Sequence, residues 1–92
     1  MMPEMRIWKW TLLPGYEQTI EMPHGAKILD VQVQNGQPQL WALVDESAYK
    51  DRIKIGIYAT GAPMPDDLGE YISTFQMNEG SLVFHVFYFP PN

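Results

Sequence analysis

The chain predicts an all-β fold: a compact single-domain antiparallel sandwich or barrel of about seven short strands. Three observations predict it. Runs of β-branched, aromatic and alternating residues recur along the whole length. Glycine-, proline- and asparagine-containing turn signals separate them at short intervals. No segment carries a helical period.

The elements follow in order. "RIWKWTL", Arg6–Leu12, alternates, with Arg6, Trp8, Trp10 and Leu12 on one face. Pro14-Gly15 ends it. Gln18–Met22 comes next and is closed by Pro23-His24-Gly25. Ala26–Gln34 and Gln39–Val44 flank Asn35-Gly36, a strong hairpin signal because both central residues of a type I′ turn need φ > 0. Closing that turn at Gln34 and Gln37 pairs Val33 with Pro38, Val31 with Leu40 and Leu29 with Ala42 on an apolar face. The other face pairs Gln32 with Gln39, Asp30 with Trp41 and Ile28 with Leu43. Pro38 has no N–H, so the start of its strand belongs at an edge or end.

Arg52–Ala59 is interrupted by Gly56, which marks a bulge, a bend or close approach of another group, a bulge being the commoner cause. A long connection, Thr60–Gly69, precedes Glu70–Met77. Asn78-Glu79-Gly80 then turns the chain into Ser81–Phe89. Closing Met77 on Ser81 pairs Phe75 with Val83, Ser73 with His85 and Tyr71 with Phe87. Short helical turns are expected at "DESAYKD" or "PDDLGEY", where acids would sit at a helix start.

The 92 residues make one domain, residues 1–92, with 46% hydrophobic and 18% charged residues. There are no cysteines, so thiolate metal sites, disulfides and cysteine nucleophiles are excluded. Eleven acids against six scattered bases give a net charge of −5. A binder of long nucleic acid needs a basic stripe that this chain lacks. The opening residues lack an apolar run, and no segment has the length of a membrane span, so no signal peptide and no membrane partner are expected.

Chemistry is sparse. His24 and His85 are far apart, and adjacent Asp66 and Asp67 point opposite ways on an extended chain, so no metal or other cofactor is expected. No nucleophile elbow surrounds Ser47, Ser73 or Ser81. The expected protein is not an enzyme. Aromatic residues, 13% of the chain, point instead to binding. Trp41, Tyr58, Tyr71 and His85 are candidates to stack on or hydrogen-bond a flat ligand. Arg52 or Lys54 would meet its charge, and Thr60 and Gly61 would add loop contacts. The Thr60–Gly69 loop, stiffened by Pro63 and Pro65, would form a wall of the pocket or serve as a solvated connection crossing between sheets. "SLVFHVFYF" has no fully polar face, so a homo-oligomer through Ser81–Phe89 is expected, with a central strand of a curled sheet as the alternative.

"QTIEMPHGAKILDVQVQNGQPQLWALVD" and "GAPMPDDLGEYISTFQMNEGSLVFHVF" resemble small proteins of tailed phages and prophages. The resemblance covers most of the chain and carries over no catalytic residues. It implies an accessory protein in the cytoplasm of an infected bacterial host. By analogy it implies a counter-defence protein that sequesters a small nucleotide-derived immune signal without catalysis. Two alternatives stand beside it: an inhibitor of a host protein acting through an acidic surface, and an enzyme that cleaves such a signal using His85.

Overall fold

The structure is a computed structural model describing residues 4–15 and 17–91. Seven strands fold in the order β1 (Met5–Thr11), β2 (Glu17–Pro23), β3 (Lys27–Gln34), β4 (Gln37–Asp45), β5 (Lys50–Ala59), β6 (Glu70–Met77) and β7 (Leu82–Phe89). They form two antiparallel sheets, β1-β4-β3 and β2-β5-β7-β6. The molecule is a slab of 48 × 32 × 15 Å. Its thin dimension suits two sheets stacked about 10 Å apart. The predicted all-β fold is therefore the one observed, in its sandwich form.

Period-2 alternation builds the core. Leu40, Ala42 and Val44 of β4 and Val31 of β3 point inward from the smaller sheet. Ile20 and Met22 of β2, Ile53, Ile55 and Ile57 of β5, Phe75 of β6, and Phe84 and Val86 of β7 meet them. Each large side chain contributes about 1.5–3 kcal/mol by leaving water. Phe75 and Phe84 are direct cross-strand partners, with rings stacked 5.4 Å apart. Trp8 and Trp10 meet each other edge-on at 6.1 Å and pack, half-buried, against the core. Along one side the sheets are tied where Ser73 Oγ donates to the carbonyl of Val31 at 3.1 Å.

The Asn35-Gly36 hairpin has the expected register from Gln34↔Gln37 to Asp30↔Trp41, with φ of 53° and 78° at its two turn residues. Beyond that the prediction fails. A bulge between Ile28 and Asp30 leaves Leu29 unpaired, and Ile28 rather than Leu29 faces Ala42. Leu29 is consequently 45% exposed. Pro38 lies near the start of β4, one residue beyond the last β1–β4 pair, Thr11↔Gln39. Its missing N–H therefore costs no ladder bond there.

The second hairpin differs by one residue. Asn78, Glu79 and Gly80 all have positive φ (51°, 56° and 90°), and Ser81 is used in the turn, its N–H donating to Asn78 O at 3.1 Å. Met77 therefore closes on Leu82, Phe75 pairs with Phe84, and Thr74, not Ser73, pairs with His85. A bulge at Ile72 restores Tyr71↔Phe87.

No helix forms at either acidic stretch, and side-chain turns explain why. Asp45 Oδ1 accepts from the Ser47 N–H at 3.0 Å and Oγ at 2.6 Å. Asp67 Oδ1 accepts from the Gly69 N–H at 3.1 Å. Such local bonds compete with helix formation. Among the described residues no helix is long and apolar enough to cross a membrane.

The topology accounts for the length of the Thr60–Gly69 connection. β5 and β6 both run antiparallel to β7, which lies between them. β5 ends beside Phe84, whereas β6 begins beside Tyr88. The chain must travel back along the sheet before it can pair again. Gly69 ends the return at φ 66°, where a Cβ would lie 2.6 Å from the Tyr88 carbonyl.

Candidate functional site

Alternation, shifted in β6 by the bulge at Ile72, carries Arg52, Lys54 and Tyr58 of β5, His85 and Phe87 of β7, and Tyr71 and Thr74 of β6 to the outer face of the four-stranded sheet. Three neighbouring strands thus assemble one aromatic and polar surface. Phe87 sits at its centre, edge-on to Tyr58 at 6.0 Å and to Tyr71 at 5.7 Å. Lys54 Nζ lies 4.6 Å from the Phe89 ring centre and 3.5 Å from Glu17 Oε1. Arg52 forms no ion pair among the described residues.

A hydrogen-bonded chain fixes the Tyr71 end. The Tyr71 hydroxyl is 2.7 Å from Thr74 Oγ1, which is 3.0 Å from His85 Nδ1. His85 Nε2 is 2.8 Å from Thr60 Oγ1, and that hydroxyl reaches toward Val83 O at 3.4 Å. With a neutral imidazole one direction satisfies every group. Tyr71 donates to Thr74, Thr74 donates to Nδ1, Nε2–H donates to Thr60, and Thr60 points at the carbonyl. A protonated imidazole donates from both nitrogens, reverses Thr74 and leaves the Tyr71 proton free to point outward. The chain therefore holds a largely exposed ring, 59% accessible, in a fixed pose.

At the other end the Tyr58 hydroxyl donates to Glu17 Oε2 at 2.7 Å. Burial, followed by that bond and the Glu17 charge, pushes the Tyr58 hydroxyl up to about 12. The same bond, with Lys54 nearby, holds the Glu17 carboxyl below its ordinary value.

Of the sequence-predicted residues, Tyr58, Thr60, Tyr71 and His85 are brought together, with Lys54 and Arg52 along β5. Gly61 stands in the turn after β5, beside Thr60, in the loop that leaves this face. Trp41 does not join them. Cross-strand to Lys9 and Asp30, it lies on the outer face of the opposite sheet. It cannot be the stacking platform of the same site. Ser73, pairing with Val86, bonds to Val31 instead of reaching His85.

The loop is not a wall of the principal clefts either. The larger cleft, about 360 Å³, is lined by Ala26, Lys27, Ile28, Leu29, Glu70, Tyr71, Ile72 and Tyr88. A second, about 180 Å³, shares Ala26 and Tyr88 with it and extends to His24, Asp51 and Ile53. The sequence signal for them was present but unused: the apolar doublets Ile28-Leu29 and Tyr71-Ile72 break the alternation of β3 and β6. Nor is the outer face of β7 bare. It is a central strand, and Tyr58, Tyr71 and the Lys54 stem screen Phe87 and Phe89, which are half-buried. Among the described residues no group of three or more histidines and acids converges as a metal site would.

Comparison with curated proteins gives no match. Comparison with solved structures also gives none. Residues 3–92 match a family described as a domain of unknown function, and the chain belongs to that family, DUF7352.

Proposed function

We propose that the outer face of the four-stranded sheet is a non-catalytic binding surface for a small ligand that carries a planar, hydrogen-bonding ring and an anionic group, a nucleotide-derived molecule. The observation that carries this is Tyr71: an exposed ring held by the Thr74–His85–Thr60 chain. A platform fixed before binding loses little freedom when the ligand arrives. A base would stack on Tyr71 and bond to the polar chain beside it. Arg52, two residues along the same face of β5 from Lys54, would meet phosphate. Lys54 would have to exchange Glu17 for it. The scarcity of bases excludes a long polyanion but not a single phosphate group. The resemblance to small phage proteins motivates the ligand class, and sequestration of a host immune signal is the role it would serve.

Calorimetry against cyclic dinucleotides and ADP-ribose derivatives tests this, with each ligand recovered by heat and analysed by chromatography. Stacking on an aromatic ring is worth roughly 1–3 kcal/mol, so Tyr71→Ala should weaken binding about tenfold or more. Trp41→Ala, on the opposite layer, should leave affinity unchanged. No heat with any compound, together with capture of a host protein, overturns this reading in favour of an acidic inhibitor. Recovery of a cleaved ligand overturns it in favour of His85 acid–base chemistry. Light scattering on the same samples reports whether the protein in solution is a multiple of the chain mass.

A further inference from the structure

The larger cleft has a structural cause. Strand β3 bulges at Leu29 and strand β6 at Ile72. The two strands run beside each other where the sheets meet, tied by Ser73 and Val31. Both bulged residues line the opening. Bulges re-aim side chains and end regular pairing, and they recur beside binding sites. Here two of them, on facing edges, flank an opening of about 360 Å³, within the range of small-molecule sites.

Its chemistry is specific. Ala26, Ile28, Leu29, Ile72 and the Tyr88 ring supply apolar wall. Lys27 comes from the β3 side and Glu70 from the β6 side. Neither takes part in an ion pair with a described residue. One cation and one anion thus stand uncommitted on opposite strands of an apolar opening. From this arrangement we propose that the cleft binds a free apolar α-amino acid. Glu70 receives its ammonium, Lys27 its carboxylate, and its side chain lies between Leu29, Ile72 and Tyr88. Tyr88 strengthens the assignment. Its phenol lines the opening beside Glu70, and a tyrosine hydroxyl, protonated at neutral pH, can donate to the ligand carboxylate. The adjoining lobe of about 180 Å³ leaves room for a longer side chain.

Amide NMR titration of the whole chain at neutral pH tests this with four probes: L-leucine, L-phenylalanine, isoamylamine and 4-methylpentanoate. The two amino acids should produce saturable shifts at Ala26, Leu29 and Ile72. The amine and the acid, each lacking one charge, should bind about tenfold more weakly, the loss of one charge-assisted contact. Glu70→Gln should weaken L-leucine but not 4-methylpentanoate, and Lys27→Met should weaken L-leucine but not isoamylamine. Both positions are exposed, so the variants should keep the wild-type spectrum elsewhere. No saturable shift with either amino acid overturns the proposal. So does equal binding of the singly charged probes, or shifts confined to Thr74 and His85, which lie outside the cleft. None of these outcomes bears on nucleotide binding at the outer face.

Discussion

The ring of Tyr58 lies over the backbone of Gly56. A Cβ built at Gly56 would fall 2.7 Å from both Cε2 and Cζ of that ring. Gly56 pairs with Glu17 on one side and Phe87 on the other. Tyr58 therefore fills the slot left by the missing side chain, touching Phe87 with its edge and Glu17 with its hydroxyl. No bulge occurs within β5, so close approach is the reason for the glycine. Gly56→Ala should destabilise the fold by about 1–3 kcal/mol, the usual cost of overpacking. In a Tyr58→Ala background the same change should be neutral or stabilising, because glycine in a strand is otherwise unfavourable. Denaturant unfolding of the four proteins closes the cycle. An equal cost in both backgrounds would show that the ring is not responsible.

The Tyr58–Glu17 bond also sets a pH window. Tyr58 titrates at about 12 in the folded chain against an ordinary 10.0. A raised folded value stabilises fully below the unfolded one and is lost as pH climbs through the folded one. This contribution should therefore fade between pH 10 and 12. Glu17 is lowered from 4.5, so its share is present above that value and disappears on acidification through its folded value. Tyr58→Phe should remove the highest-pH step of the tyrosinate absorbance titration and flatten the alkaline part of the stability profile. A wild-type titration with no step near 12 would contradict the bond.

Strands were legible because alternation over a one-sided core is a local pattern. The departures in register and in the grouping of site residues have non-local or irregular causes. Leu29 and Ile72 are bulged, and a bulge reverses which residues face inward from that point on. Glu79 adopts φ 56°, a conformation that its side chain does nothing to announce, and this moves the second hairpin by one residue. Trp41 was correctly placed on the outer face of its hairpin, yet a sandwich has two outer faces. Only the pairing of β5 with β7, across twenty-odd intervening residues, decides which residues share one. That pairing joined Tyr58 to His85 and left Trp41 behind.

The Asn35-Gly36 turn tests the register that was legible. Gly36 has φ 78°, and no atom lies within 4 Å of an added Cβ. Any cost of substitution is therefore conformational, not steric crowding by neighbours. Gly36→Val should cost about 1–2 kcal/mol, the penalty for a left-handed L-residue. In a domain of this size each kcal/mol lowers the melting temperature by roughly 4–8 °C. An unchanged melting temperature would mean that the turn is not formed by these two residues.

Thr74 separates a fixed ring from a merely exposed one. It sits between Tyr71 and His85 and is the sole bridge between them in the described chain of bonds. Thr74→Val keeps the β-branched shape, which suits a strand, but removes the hydroxyl. These bonds are exposed, so the loss in stability should stay near the lower end of 0.5–1.5 kcal/mol for a single hydrogen bond. The effect on Tyr71 should be larger. Its hydroxyl loses its partner, and the ring regains rotamer freedom that binding must then restrict, at about 0.5–1.5 kcal/mol for one side chain. Affinity for any compound that binds the wild-type face should fall several-fold while the melting temperature barely moves. Thr74→Ser, which restores the hydroxyl, should recover most of it. Equal affinity in the valine and serine variants would mean that Tyr71 is held by Phe87 alone and that the hydrogen-bonded chain does not prepare the surface.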